Sequence, residues 1–143
     1  MSADGMLWSA EAALERAFLE ALRADAEVQS LLGSPARIFV AETDQAAFPH
    51  AILERHECAD RSASGVAGQA HTLTLAVRSR DGGRADVKDI LGALRAAGEA
   101  AVLSLAGQRV VLIQTVYSDA MRTPDLREFR GLLRIRIITE EVA

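Results

Sequence analysis

The most informative stretch of the chain, HTLTLAVRSRDGGRADVKDILGALRAA (residues 71–97), changes its hydrophobic period halfway along. Apolar and polar side chains alternate from residue 71 to residue 78, which predicts a strand with one buried face. Asp81-Gly82-Gly83 is typical of a turn, and from 84 to 97 the apolar residues recur at helical spacing. Gly98 is the predicted end of that helix.

Two more strands are predicted on the C-terminal side. Residues 109–117 (RVVLIQTVY) are rich in Val, Leu and Ile and apolar on both faces for part of their length, which predicts a central strand. Residues 119–130 contain Pro124 and many charges, which predicts a long loop. Residues 132–139 are the predicted last strand, with Arg134 and Arg136 on one face and the main apolar residues on the other.

The N-terminal side begins with helices. Helical spacing of apolar residues predicts an amphipathic helix over 7–23. Asp25 is predicted to cap a short second helix, which Gly33 ends. Strands are predicted at 37–41 and 50–57. The small and polar residues 58–69 (CADRSASGVAGQ) have no periodicity and predict a mobile hairpin loop.

The predicted order is therefore α-α-β-β-β-α-β-β. Adjacent strands without helical crossovers favour an α+β domain, with an antiparallel sheet of about five strands and two main helices packed on one face. The length of 143 residues fits a single domain over 1–143, with residues 1–6 expected to be frayed.

Composition narrows the function. Half of the residues are hydrophobic, and the formal net charge is −4, which does not favour a nucleic-acid-binding protein. No apolar run approaches the roughly 20 residues that span a bilayer, and no signal peptide is predicted. Cys58 is the only cysteine, which excludes an internal disulfide and is typical of a reducing cytoplasm.

Residues capable of chemistry are few. His50, His56 and His71 with Cys58 and Asp60 are candidate zinc ligands, but His56-x-Cys58 is not a usual ligand spacing. Cys58 is a candidate nucleophile, with His56 or His71 as its base. However, Cys58 begins a loop of small residues, which is a poor place for a preorganised catalytic site. Glycines at 82–83 precede a helix as in anion sites, yet no phosphate-binding motif accompanies them. We therefore predict no catalytic residue, no metal and no cofactor.

The arginines suggest a different role. Arg134 and Arg136 share one face of the last strand, Arg78 and Arg80 share a face near the end of another, and further arginines lie at 122, 127 and 130. A solvated sheet face explains any one of these arginines, whereas as a set they suggest a sheet face or edge that meets an acidic neighbour. The acidic residues on the first helix and at the C-terminus of another copy are candidates for that neighbour. Complementarity between different surfaces of identical subunits produces a head-to-tail ring when the rotation closes.

Several segments in succession resemble the tail-terminator (tail-completion) family of long-tailed phages and gene transfer agents. They are ALRADAEVQSLLG (21–33), RIFVAETDQAAFPHAILE (37–54), the stretch 71–97, LAGQRVVLI (105–113) and GLLRIRIITEE (131–141). The resemblance covers nearly the whole chain in the right order. These segments are packing patterns and not catalytic signatures, so their succession carries the resemblance.

The resemblance implies an α+β subunit of a hexameric ring that caps the tail tube, ends its growth and joins the tail to the neck of the head. The implied partners are copies of itself, the tail tube protein and a head–neck connector or stopper, with DNA passing through the lumen without specific binding. It implies no membrane, no cofactor and no reaction. Assembly is expected in the cytoplasm, after which the subunit belongs to the tail–neck junction of the particle.

Residue expectations follow from the arginine pattern and the two loops. The expected interface residues are Arg78, Arg80, Arg134, Arg136, Asp81, Arg122, Arg127 and Arg130. The expected docking-loop residues are Cys58, Asp60, Arg61, Ser64, Gly65, Gly68 and Pro124. Three alternatives stay open: a head-completion or stopper protein of the same particle, a small metal-dependent hydrolase, and a ligand-binding α+β domain.

Overall fold

The computed structural model describes residues 9–41, 47–80 and 83–142, without the side chains of 83–85. The expectation for residues 1–6 and the turn residues Asp81 and Gly82 lie outside the described residues. The helices are α1 (Ala10–Ala24), α2 (Ala26–Leu32) and α3 (Gly83–Ala100). The strands are β1 (Ile38–Phe39), β2 (His50–Asp60), β3 (Gly68–Ser79), β4 (Gln108–Arg122) and β5 (Phe129–Glu141).

The five strands form one sheet in the order β1-β2-β3-β5-β4. The α+β class and the order α-α-β-β-β-α-β-β are confirmed. The sheet is mixed and not wholly antiparallel, because β1 pairs parallel with β2, Ile38 opposite Ala51. Residues 40–49 connect these two strands, and 42–46 of them lie outside the described residues.

Local capping explains the helix limits. The Ser9 side chain accepts a hydrogen bond from the Ala12 amide at 3.0 Å, so α1 begins after Ser9. Asp25 accepts one from the Val28 amide at 3.0 Å and caps α2, as predicted. Gly33 ends α2 with φ of 94°, a left-handed conformation that glycine adopts without strain, which is also as predicted.

The core lies between the sheet and the helices. Leu14, Phe18 and Leu22 of α1 and Ile90 and Leu94 of α3 pack on the same face of the sheet. That face presents alternate residues of the three inner strands: Leu53, Leu73, Leu75, Val77, Leu133, Ile135 and Ile137. The two main helices therefore cover one face and leave the other open.

Gly98 was expected to end the third helix, but α3 continues to Ala100. A Cβ atom at Gly98 would lie 3.1 Å from Phe18 Cζ and 3.2 Å from Ile135 Cδ1. Glycine is therefore present because α1 and the sheet approach closely there, and not because the helix ends.

Both predicted long loops are shorter than expected. β2 continues to Asp60, with Cys58 opposite His71 and Asp60 opposite Gln69, so only residues 61–67 join β2 to β3. β4 continues to Arg122 and β5 begins at Phe129, so only residues 123–128 join them. Hydrogen bonds between backbone groups extend the strands of both hairpins into segments whose side chains show no strand periodicity.

The prediction that 109–117 is a central strand is wrong. β4 lies at the edge of the sheet, and its partner among the described strands is β5 alone. None of its fifteen residues is buried, although the strand is rich in Val, Leu and Ile. Its composition is typical of a buried strand, whereas its position at the edge of the sheet leaves it exposed.

Candidate functional site

The arginines at the end of β3 form hydrogen bonds and ring contacts within the chain. Arg78 donates two hydrogen bonds to the carboxylate of Glu128, at 2.9 and 3.0 Å, and Arg80 donates a third at 3.2 Å. Burial acts to raise the pKa of Glu128, but these hydrogen bonds outweigh it and hold the pKa below its usual range. The Arg80 guanidinium also lies 4.1 Å from the ring centroid of Phe48. Together these contacts fix the 123–128 turn against β3.

Other predicted interface arginines lie near the same end of the sheet. Arg122 lies at the end of β4, with its guanidinium 4.8 Å from the ring centroid of Phe129. Arg130 is in β5 and not in a loop, and it donates to Glu54 at 2.6 Å. Arg127 is in the turn, where its amide donates to Asp125 at 3.1 Å. With Arg78 and Arg80 these residues make one end of the sheet rich in arginine.

Arg134 and Arg136 lie elsewhere, on the face of the sheet that the helices leave open. Arg134 is opposite Tyr117 in the β4–β5 register, with its guanidinium 5.2 Å from the tyrosine ring centroid. No carboxylate in the described part of the chain forms an ion pair with Arg134 or Arg136. The seven predicted interface residues that the structure describes therefore do not form one patch.

Next to these two arginines, β4 exposes large apolar side chains. Leu112, Tyr117 and Met121 lie on the same open face and are 43% to 49% exposed. We call Leu112, Tyr117, Met121, Arg134 and Arg136 the β4–β5 surface. Exposed aromatic and arginine side chains beside aliphatic ones are typical of protein interfaces.

Sequence reasoning found the arginines of this surface and missed its apolar members. It assigned them to a central strand, where such residues are buried. The apolar run of residues 109–117 could have identified Leu112 and Tyr117 as exposed, because the chain has few strands that could lie on both sides of this one.

The predicted docking-loop residues occupy an ordered hairpin end. Cys58, Asp60 and Gly68 belong to strands, and Arg61, Ser64 and Gly65 lie in the 61–67 turn. Ser62 donates to Asp60 at 2.8 Å, and Ala63 pairs with Val66 by two backbone hydrogen bonds. Ser64 and Gly65 have φ of 52° and 78°.

Pro124 lies in the 123–128 turn, which is held together by hydrogen bonds between residues of the turn. The Thr123 amide donates to the Glu128 carbonyl at 2.8 Å, and the Thr123 hydroxyl donates to Asp125 at 2.6 Å. The two turns lie at opposite ends of the sheet, because β2 and β5 run toward the 61–67 turn while β3 and β4 run toward the 123–128 end.

Two histidines form a buried polar chain. His56 Nδ1 lies 3.2 Å from Glu15 Oε1, and His56 Nε2 lies 2.9 Å from His71 Nδ1. His71 Nε2 lies 3.5 Å from the Thr139 hydroxyl. Burial, with the neighbouring His56, lowers the pKa of His71 to about 4. The chain ties α1 to the sheet through polar groups that would otherwise be buried without partners.

The candidate metal ligands and nucleophile do not all come together: His56 contacts His71, and Cys58 is opposite His71 in the β2–β3 register. His50 is separate, with Nδ1 3.0 Å from the Ala47 carbonyl and its ring against Phe48. Burial and the nearby Glu11 raise the pKa of the Cys58 thiol, which favours the unreactive protonated form. Within 9–41, 47–80 and 83–142, no three His, Cys, Asp or Glu residues are placed to hold a metal ion. The described helices also include none long and apolar enough to span a membrane.

Comparisons with known proteins give the family. A chain in the virion of a native gene transfer agent particle is 26% identical, with a TM-score of 0.81 over 93% of this chain and 98% of that one. The gp17 protein of bacteriophage SPP1 shares the fold at 17% identity, with a TM-score of 0.62 over 96% of this chain and 94% of that one. No curated protein sequence matches. The family model described as tail completion protein gp17 matches residues 16–140, so this chain belongs to that family of phage tail structural proteins, which are not enzymes.

Proposed function

We propose that this chain is the subunit of a hexameric ring that caps the tail tube of a phage-like particle, ends tube growth and joins the tail to the neck. The observation that carries the proposal is the similarity over nearly the full length of both chains to a component of a gene transfer agent virion. The family match over 16–140 supports the same role. Assembly takes place in the cytoplasm, and the finished ring belongs to the tail–neck junction.

The mechanism is geometric. In a ring whose axis follows the strands, the two ends of the sheet become the two faces of the ring. One end carries the 61–67 turn, with Asp60, Glu140 and Glu141 close by, and the other carries the 123–128 turn with its arginines. These ends differ in shape and charge, so one suits the last ring of the tail tube and the other suits the neck protein.

Occupying the end of the tube stops its growth because the ring covers the site where the next tube ring would add. No bond is made or broken, and no cofactor takes part. The acidic chain, of net charge −4, also suits a lumen through which DNA slides without adhering, since like charge repels phosphate.

Deletion of the gene followed by electron microscopy of the particles tests this function. The expected result is tails that are overlong or lack heads, with normal particles restored by the wild-type gene. Particles of normal tail length that deliver DNA in the deletion strain would contradict it.

The alternative function within the same particle is that of a head-completion or stopper protein. Binding of the purified protein to isolated tail tubes or to filled heads distinguishes the two functions. Purified protein that binds isolated tail tubes and not filled heads supports the terminator. Binding to filled heads alone would identify a stopper.

A further inference from the structure

The edge strand β4 has the composition of a covered strand. Besides the apolar members of the β4–β5 surface, Val111 and Val116 are 51% and 46% exposed. Natural sheets protect an exposed edge by keeping it short or by placing charges or proline on it. β4 has fifteen residues, and no proline or lysine is among them. Its charged residues, Arg109, Asp119 and Arg122, lie near its two ends, so residues 110–118 form a long edge without charge or proline. Such an edge indicates that another strand covers it in the working state.

The free edge of β4 has room for such a strand. An open groove of about 510 Å³ runs beside it, lined by residues 101–105 and 108–113. Val102 on the lining is 96% exposed. On this edge the Thr115 amide donates a hydrogen bond to Glu99 Oε2 at 3.3 Å. The bulges in the β4–β5 register twist the strand without covering it.

A second free edge lies at the opposite end of the strand order. β1 pairs with β2 only at Ala51 and Ile52, so among the described residues 54–60 of β2 have a strand partner on the β3 side alone. This free segment carries Glu54, Glu57 and Asp60 against one arginine, whereas β4 carries Arg109 and Arg122 against one aspartate. The formal charges of the two free edges therefore differ in sign. Inside the chain Glu54 pairs with Arg130, Glu57 with Arg55 and Arg109 with Glu140, which leaves Asp60 of β2 and Arg122 of β4 without an ion pair among the described residues.

We infer that the free edge of β4 in one copy pairs with the free edge of β2, residues 54–60, in the next copy, so that the sheet continues around the ring. The inference rests on the proposed ring and names its subunit contact. Two different surfaces at opposite ends of one subunit are what a head-to-tail contact requires. Complementary charge favours β2 of a second copy over another β4 edge.

The direction of the joint follows from the sheet itself. β2 is antiparallel to β3, β3 to β5 and β5 to β4, so β4 runs opposite to β2. Rotation about an axis along the strands leaves their direction unchanged. The β4 strand of one copy and the β2 strand of the next are therefore antiparallel, and residues opposite each other share a face of the sheet.

Cys58, the only cysteine in the chain, makes this pairing testable. It is opposite His71 in the β2–β3 register and therefore lies on the helix-covered face, within the free segment of β2. A disulfide forms only when the Cα atoms are about 4.4–6.8 Å apart, so Cys58 can reach a new cysteine only on the same face of a paired strand.

Single cysteines are introduced along β4 at partly exposed positions, and assembled particles are oxidised mildly before denaturing electrophoresis. The helix-side substitutions are Ile113→Cys, Thr115→Cys and Ser118→Cys. The open-face substitutions are Gln114→Cys, Tyr117→Cys and Asp119→Cys. We expect disulfide-linked ladders from at least one helix-side position and from none of the open-face positions. The Cys58→Ser change should abolish the ladder in each positive variant.

Two results overturn the pairing: no ladder at any position in particles that contain the protein, or equal ladders from both faces. Tail length, measured on the same particles, keeps this inference separate from the proposed function. Tails of normal length without any ladder would reject the β2–β4 joint and leave the terminator role intact. Overlong tails appear only when termination itself fails.

Discussion

Acidification from pH 7 to pH 5 is expected to destabilise the fold through His71. Its ring is buried, and burial together with His56 lowers its pKa from 6.5 to about 4. The unfolded chain takes up a proton near pH 6.5 while the folded chain keeps His71 neutral. This contribution to stability is therefore fully present above pH 6.5 and is lost as the pH falls toward 4. The loss amounts to about 2 kcal/mol between pH 7 and pH 5.

Urea unfolding at pH 7, 6 and 5 measures this effect in the wild-type protein and in His71→Gln. The variant removes the titrating ring and keeps an amide that can hydrogen-bond to His56. Its free energy of unfolding should fall by about 2 kcal/mol less than that of the wild type over this range. His50→Gln is a comparison variant with its own expected effect: burial lowers the pKa of His50 as well, so this change should also flatten the pH profile, while the contribution of His71 stays in place. Parallel pH profiles for wild type and His71→Gln would refute the reasoning.

Three other substitutions test the packing. Glu128→Ala removes the acceptor of two hydrogen bonds from Arg78 and one from Arg80, and we expect urea unfolding to show a loss of about 1–2 kcal/mol at pH 7. An unchanged midpoint would show that the 123–128 turn does not depend on these hydrogen bonds. Gly131→Ala places a Cβ 2.6 Å from Val87 Cγ1 and should cost about 1–3 kcal/mol in thermal or urea unfolding. Gly92→Ala is its control, since a Cβ there meets nothing within 4 Å and alanine in a helix should raise stability by about 0.5–1 kcal/mol. Effects of the same sign at both glycines would contradict the packing described for them.

The sequence predicts those parts of the fold that depend on local patterns and on burial by the chain's own helices. Alternation at Leu73, Leu75 and Val77 identified β3 because that face is covered by the chain's own helices. Asp25 and Gly33 identified the limits of α2 because capping is local. Residues 58–60 gave no signal because the backbone pairs them with β3 whatever their side chains are.

Two features could not be read correctly from one chain. Gly98 is not the end of α3. Glycine is needed there because Phe18 and Ile135 approach closely, and this tertiary contact leaves no local pattern in the sequence. The predicted position of β4 is wrong because an apolar run alone does not distinguish a buried central strand from an exposed edge strand. In the candidate site, the sequence predicts that Arg134 and Arg136 share one face of the last strand. It does not predict that Arg78 and Arg80 bind Glu128, because Glu128 is 48 to 50 residues away along the sequence.

Tube growth in the presence of the purified protein is the decisive measurement. Tail tube protein from the same particle is polymerised with and without this chain, and tube lengths are measured by electron microscopy. The terminator role predicts that added protein appears at tube ends and halts their elongation. Tubes that reach the same length at every concentration of the protein would contradict it.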